Sequence, residues 1–432
     1  MSRGDVRIRA DGDLRDRLVR LLPAAGRSLP SEPARPDESS PADTLLARIV
    51  WARLVEPGDA VAGALISVLG AAPALDLLAS RAPLARVRDL VRAAAGTELD
   101  PAELGRAFKR WGLRLDRAAT VGDLDRGIAS GMRVVTPESE RWPSALDDLG
   151  DHAPLLLWVR GSAALLASSS LAVVGARACT GYGSHITAEI VEGVCSAGIT
   201  IVSGAAYGID AVAHRTALAL GSPTVAVLAG GADVPYPRSH GSLLERIAES
   251  GAVCSEMVPG SAPTRWRFLQ RNRSIAALAR ATLVPEAGVR SGSLNTAGHA
   301  AELGRPLGTV PGPVTSVASA GCHRLVREYG ATLVTNSAEA REFLGLSEHP
   351  ALFDSGSDPG CASGARPPAL HRRVLDALPL RGSRGSSDIA RLAGLELGET
   401  RAALAELELL GAAARRETPG AGESRWVMLR RE

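Results

Sequence analysis

Lysine is almost absent from this 432-residue chain. Lys109 is the only one, so nearly all the positive charge is carried by arginine. Aromatic residues are scarce as well, at 3%. Neither sign of charge is in excess: 49 basic against 47 acidic residues leave a net charge of +2. That balance excludes a histone-like or polybasic-tail protein, and any binding of nucleic acid has to come from a local patch. The five cysteines, Cys179, Cys195, Cys254, Cys322 and Cys361, are odd in number, and no two stand at Cys-x-x-Cys spacing. This argues against a disulfide framework or a structural zinc site and for reduced thiols in a cytoplasmic protein. Long apolar runs are missing too. Residues 1–20 mix Arg and Asp throughout, unlike a signal peptide. The most apolar stretch, 60–74, is closed by Pro73 and Asp76, short of the roughly 20 residues a membrane span needs. No membrane association, metal or cofactor is expected.

What is present is a 45% hydrophobic chain long enough for two or three domains. Residues 1–43 read as a flexible lead-in, because 26–41 are rich in Pro, Ser and Glu. Residues 44–130 carry short helical segments punctuated by Gly and Pro, the pattern of a small helical domain of the SAM or helix-hairpin kind. Over 131–345 short apolar runs alternate with helix-length segments. The runs are 171–174, 199–202, 225–228, 252–254, 281–284, 307–310 and 331–334. Unbroken apolar strands alternating with helices imply an α/β fold, a Rossmann-like doubly wound parallel sheet covered on both faces. Residues 346–367 read as a linker. In 368–432, three helices and a hairpin turning at 417–423 give the winged-helix pattern, with Ser386 and Ser387 placed to cap the second helix. The third helix is acidic, with Glu396, Glu399, Glu406 and Glu408 beside Arg401. A protein-contact role and a DNA-contact role both stay open for it.

In a doubly wound sheet, ligands bind beyond the carboxyl ends of the strands, so those loops are the ones to read. The first ends in Val174-Gly175-Ala176-Arg177, and Gly181-Tyr182-Gly183 opens the next helix. A glycine there lets backbone approach a phosphate, and the arginine fork suits phosphate oxygens. The second strand runs into Ser203-Gly204-Ala205-Ala206-Tyr207-Gly208-Ile209-Asp210, a second nest of backbone N–H groups. Neither loop has the spacing or the acidic residue of a dinucleotide site. Asp210 falls in a first helical turn, where complementing the helix dipole is favoured over catalysis. His214, one turn on, reads as packed. Residues 265–273 place Arg265, Arg267, Arg271 and Arg273 around Trp266 and Phe268, with Asn272 among them. Charge of this kind tracks a phosphate backbone while rings offer stacking faces; buried rings with solvated arginines are the bland alternative. A fourth loop, Arg290-Ser291-Gly292-Ser293-Leu294-Asn295-Thr296-Ala297, opens another helix after a strand.

These segments, in this order, resemble the DNA-processing protein A family (DprA, also called Smf). The further matching pieces are 228–237, 310–313 and 321–328, and the resemblance is strong over about 147–337. It implies binding of single-stranded DNA without sequence preference, dimerisation through the Rossmann-like domain, and delivery of the strand to the RecA recombinase in transformation or general recombination. It implies no enzymatic activity. Carried over by position, the site would hold Gly175, Arg177, Ser203, Gly204, Tyr207, Gly208, Arg271, Asn272, Arg273, Arg290, Ser291, Gly292 and Ser293. Tyr207 departs from the family, where many relatives carry arginine. Two other readings are a Rossmann-like nucleotide phosphoribohydrolase, whose Pro-Gly-Gly-x-Gly-Thr-x-x-Glu loop is missing at 286–293, and a winged-helix DNA-binding regulator.

Overall fold

The computed structural model describes residues 9–23, 39–346, 369–379, 382–416 and 424–429. The chain divides into two compact units, Met1–Glu348 and His349–Glu432. Most of the expected linker, the hairpin turn at 417–423 and most of the Pro-rich stretch 26–41 lie outside the described residues, as does Cys361.

The first unit opens with helices α1 (Gly12–Leu21), α2 (Pro41–Leu54), α3 (Ala60–Leu69), α4 (Ala71–Ala79), α5 (Leu84–Ala95), α6 (Pro101–Arg114) and α7 (Arg117–Ala129). Side-chain oxygens of Asp11, Ser40, Asp59, Asp100 and Asp116 accept first-turn backbone N–H groups, and Pro41 and Pro101 sit just inside their helices. The α1 helix lies inside the stretch expected to be a flexible lead-in. Its Leu14, Leu18 and Leu21 form one buried stripe, enough apolar surface to hold the helix down. No single described helix is long and apolar enough to cross a membrane; α3 and α4 meet at a bend of 112°.

The central layer is a nine-stranded sheet in the order β1-β2-β6-β5-β4-β3-β7-β8-β9. Its strands are β1 (Arg133–Val135), β2 (Leu157–Gly161), β3 (Ser170–Val173), β4 (Thr200–Ser203), β5 (Thr224–Val227), β6 (Ala252–Ser255), β7 (Ala281–Val284), β8 (Leu307–Thr309) and β9 (Thr332–Leu333). From β6 to β9 every pairing is parallel, while β1 and β2 add an antiparallel edge that the sequence reading does not separate from its surroundings. The crossover helices are α8 (Gly181–Cys195), α9 (Ile209–Ala219), α10 (Gly241–Ser250), α11 (Arg265–Leu278), α12 (Ser293–Glu302) and α13 (Ala320–Tyr329), followed by α14 (Ser337–Phe343). Strand order reverses at β3, which lies between β4 and β7, so the switch point opens between the loops leaving β3 and β7.

The helical block and the sheet share one core. Leu21, Leu46, Trp51 and Leu124 belong to the same buried cluster as Val134, Leu156, Trp158, Leu228 and Val253. The boundary expected near residue 130 is therefore a change of secondary structure and not a gap in packing.

The second unit holds α15 (Ala369–Ala377), β10 (Arg384–Gly385), α16 (Ser386–Ala393), α17 (Leu397–Leu409), β11 (Ala413–Arg416) and β12 (Arg425–Met428), with sheet order β10-β12-β11. Ser386 does not cap its helix as expected. Its hydroxyl donates to the Ser424 carbonyl at 3.3 Å and accepts from Trp426 Nε1 at 3.2 Å, tying helix to strand. The acidic residues of α17 are partly internal ties: Glu396 and Glu399 form a capping box, and Glu406 meets His371 Nε2 at 2.6 Å.

Candidate functional site

At the switch point lies a cleft of about 1370 Å³. One wall is the loop leaving β3, Val174 to Ala178. The opposite wall is 288–293, between β7 and α12, and α11 crosses the cleft with Arg265, Phe268, Leu269, Arg271 and Asn272. The β3 loop is fixed by its backbone: Ala176 N donates to the Glu286 carbonyl at 2.7 Å, and Ile209 N to the Ala176 carbonyl at 3.1 Å.

Arg177 is exposed, and its guanidinium stands 5.4 Å from the centre of the Phe268 ring. Arg271 approaches the same ring at 5.7 Å, and Tyr236 packs beside it at 5.2 Å. Arg271 forms the floor. It is 6% exposed, donates to the carbonyls of Gly204 (2.9 Å) and Val227 (2.5 Å), and keeps its Nε without a partner. Burial, with Arg177 adding repulsion against the attraction of Asp210, pushes its pKa down to about 10, so it stays charged at neutral pH. Arg265 and Arg290 lie exposed at the rim. Asn272 Nδ2 donates to Asn295 Oδ1 at 3.1 Å, and the Ser291 and Ser293 hydroxyls lie 2.7 Å apart at the start of α12. The cleft thus offers several cationic forks, two rings packed at a tilt of 58° and a cluster of neutral donors. This chemistry receives an anion beside a flat ring.

Of the residues singled out from sequence, Gly175, Arg177, Arg271, Asn272, Arg290, Ser291, Gly292 and Ser293 line the cleft. Others do not. Ser203 is fully buried and donates to the Val173 carbonyl at 2.6 Å, joining β4 to β3. Arg273 is also buried and forks onto Glu256 at 2.7 Å from both terminal nitrogens. Two residues along a helix turn the side chain by about 200°, which separates Arg273 from Arg271. Tyr207 faces the segment before α10, its hydroxyl 2.7 Å from Ser239 Oγ and its ring 4.8 Å from His240. Gly204 and Gly208 serve close packing. A Cβ on Gly204 would overlap the Arg271 guanidinium, and Gly208 has a φ of 75° with the Ala176 carbonyl against it.

Asp210 supports the loop. Its carboxylate accepts from Gly204 N (3.2 Å) and Ala206 N (3.3 Å), while burial raises its pKa against the pull of Arg271. His214 is packed, with Nδ1 2.7 Å from Thr224 Oγ1. The Thr224 hydroxyl spends its proton on the Ile201 carbonyl, so His214 Nδ1 is the donor.

The start of α8, expected to be an anion site, already holds one. The buried Glu286 carboxylate accepts from Thr180 N at 2.8 Å and Thr180 Oγ1 at 2.7 Å. A side chain of this chain therefore occupies the place where a nucleotide phosphate would sit in a dinucleotide fold. Tyr236 is a cleft residue to which the sequence reading gives no role, although it falls in the matching piece 228–237. It lies in a loop after β5, and only the fold brings it to Phe268.

Residues 133–345 match the family model described as DNA recombination-mediator protein A. A Mycobacterium tuberculosis protein bearing the name DNA processing protein DprA is 42% identical over 398 residues, covering 88% of this chain and 94% of that protein. The DNA processing protein DprA of Streptococcus pneumoniae is 41% identical over 198 residues, 46% of this chain and 69% of that protein. The X-ray structure of DprA from Streptococcus pneumoniae superposes with a TM-score of 0.55 at 31% identity, covering 69% of this chain and 96% of that one.

Proposed function

We propose, from the premise that the chain belongs to the DNA recombination-mediator protein A family, that it binds single-stranded DNA in the switch-point cleft without sequence preference. The observation that carries this reading is the arrangement around Phe268: two guanidinium groups within 5.7 Å of one ring, with Tyr236 beside it. Cations hold the phosphate backbone, and the rings take a base that is free of its partner. A paired base cannot reach a ring at the bottom of a cleft without leaving its stack. On this reading the protein acts by binding and not by catalysis, with no cofactor. Loading of the RecA recombinase onto the held strand, pairing of two copies through the Rossmann-like part, and work in the cytoplasm during DNA uptake or general recombination belong to the same proposal.

The test is an anisotropy titration of labelled single- and double-stranded oligonucleotides at several salt concentrations. Single strands should bind more tightly. Arg177→Ala and Arg290→Ala should each make the slope of log affinity against log salt shallower by about 0.7. Equal affinity for duplex, or slopes that do not move, would overturn the assignment. The phosphoribohydrolase alternative has its own check: the pure protein incubated with nucleoside monophosphates should release no free base.

A further inference from the structure

The α11 helix has two working faces. Arg265, Phe268, Leu269 and Asn272 recur at i, i+3, i+4 and i+7 and line the cleft. Arg267, Gln270 and Arg273 turn toward the α2–α3 turn and the residues packed on it. Glu56, in that turn, takes a fork from Arg267, with Nε at 2.8 Å from Oε2 and NH2 at 3.0 Å from Oε1. Arg267 gives its remaining terminal nitrogen to the Ala262 carbonyl at 2.8 Å, in the segment that leads into α11. Glu56 also holds Arg114 of α6 at 3.3 Å. Next along the turn, a Cβ on Gly58 would overlap the Gln270 amide, and the Gly58 carbonyl meets His152 Nδ1 at 3.0 Å. Arg273 Nε in turn donates to the His152 carbonyl at 2.8 Å. A void of only about 20 Å³ remains among 52–59, 153–156 and 256–257. On that side the turn packs against the back of the helix whose front faces the cleft, while on its other side Glu56 and Arg267 border an open hollow of about 380 Å³ with Arg114 and Ser261.

We infer that Glu56 and Arg267 are positioning residues for the cleft: the helical block, through this pair, fixes the first turn of α11 and so the places of Arg265 and Phe268. The inference rests on reading the cleft as a site for single-stranded DNA. It assigns the helical block a part in binding that neither charge nor exposure suggests. All three kinds of nitrogen on Arg267 are engaged, and its side chain is 18% exposed, so it is not presented to a phosphate.

The electrostatic sign separates positioning from mere proximity. Were Glu56 only a nearby negative charge, Glu56→Gln would strengthen binding of a polyanion. As a positioning residue, its loss weakens binding. The experiment uses the full chain and a fluorescein-labelled oligodeoxythymidine at several salt concentrations. Glu56→Gln and Arg267→Gln should each weaken binding about fivefold and change the salt slope by the same amount as each other, because both displace Arg265, and the double variant should be no weaker than either single one. Acrylamide quenching of Trp266 supplies a second readout, because Trp266 is 56% exposed on the first turn of α11 while the other five tryptophans are buried. Quenching should rise in both variants, with Trp266→Phe controls assigning the signal. Unchanged or tighter binding by Glu56→Gln, multiplying losses in the double variant, a salt slope shallower for Arg267→Gln than for Glu56→Gln, or unaltered quenching would each overturn the inference. If the wild-type chain fails to bind, the cleft reading itself falls and takes this inference with it.

Discussion

Arginine does four different jobs within a few residues of α11. Arg265 meets solvent at the cleft rim, Arg267 pairs with Glu56, Arg271 is buried in the cleft floor, and Arg273 is buried against Glu256. Composition treats them alike, but burial and partner set what each is worth. Removing one member of a buried pair strands the other charge. Arg273→Ala should therefore destabilise the protein by about 3 kcal/mol in urea denaturation, whereas Arg177→Ala should leave the midpoint unmoved and change only DNA binding. His214 adds a pH dependence. Burial, then the charges of Arg271 and His240, lower its pKa to about 3. An unfolded histidine takes a proton near 6.5, so between those values the unfolded chain binds more protons. Stability should fall as pH drops from about 6.5 toward 3 and be level above that window for this group. Denaturation midpoints measured across the range should show the slope, and His214→Gln should flatten it.

At the scale of elements, the site depends on what each loop already spends its hydrogen bonds on. The nests after β3 and β4 look alike in sequence, each rich in small residues before a helix. In the fold the second is filled by the Asp210 carboxylate, with Arg271 donating to the Gly204 carbonyl, and the start of α8 is filled by Glu286. The start of α12 keeps its serine hydroxyls and Asn295 turned to the cleft. Binding then combines donors on one wall with rings on another, and the two contributions should separate. Tyr236→Ala and Phe268→Ala should each cost about 1–3 kcal/mol of single-strand affinity while leaving the salt slope alone, because neither side chain meets a phosphate as a charge. A shift in slope as large as that of Arg177→Ala would show that the rings act only by holding the arginines.

For the whole molecule, the shared core makes the helical block and the sheet one cooperative body. Trp158 and Leu156 on the sheet side and Trp51 and Leu46 on the helical side belong to a single buried cluster. A fragment limited to residues 131–346 would expose that apolar face and should be poorly soluble, whereas 1–346 should melt in one calorimetric transition. The second unit has its own core around Val374, Leu404, Leu407 and Trp426. Ending the chain at 346 should leave single-strand binding within about twofold of the full chain, since every cleft residue lies in the first unit. Loss of binding in that truncation would favour the regulator reading, in which the terminal unit carries the DNA contact.

The parallel sheet was legible because its strands are buried on both faces and so read as unbroken apolar runs, whereas the cap expected at Ser386 was not met, because that hydroxyl is spent on Ser424 and Trp426 of a distant segment. The ordered series of loop motifs was enough to place the chain in its family. Local pattern could not tell which members of those motifs reach the cleft. Ser203 and Arg273 look as available as Ser291 and Arg271, yet the first two are spent on a neighbouring strand and a buried carboxylate. Tyr236 becomes a site residue only when its loop is brought against α11. The fold's periodicity is written in neighbours a few residues apart, whereas a side chain's partner, such as the 211-residue reach from Glu56 to Arg267, is fixed only when distant segments pack together.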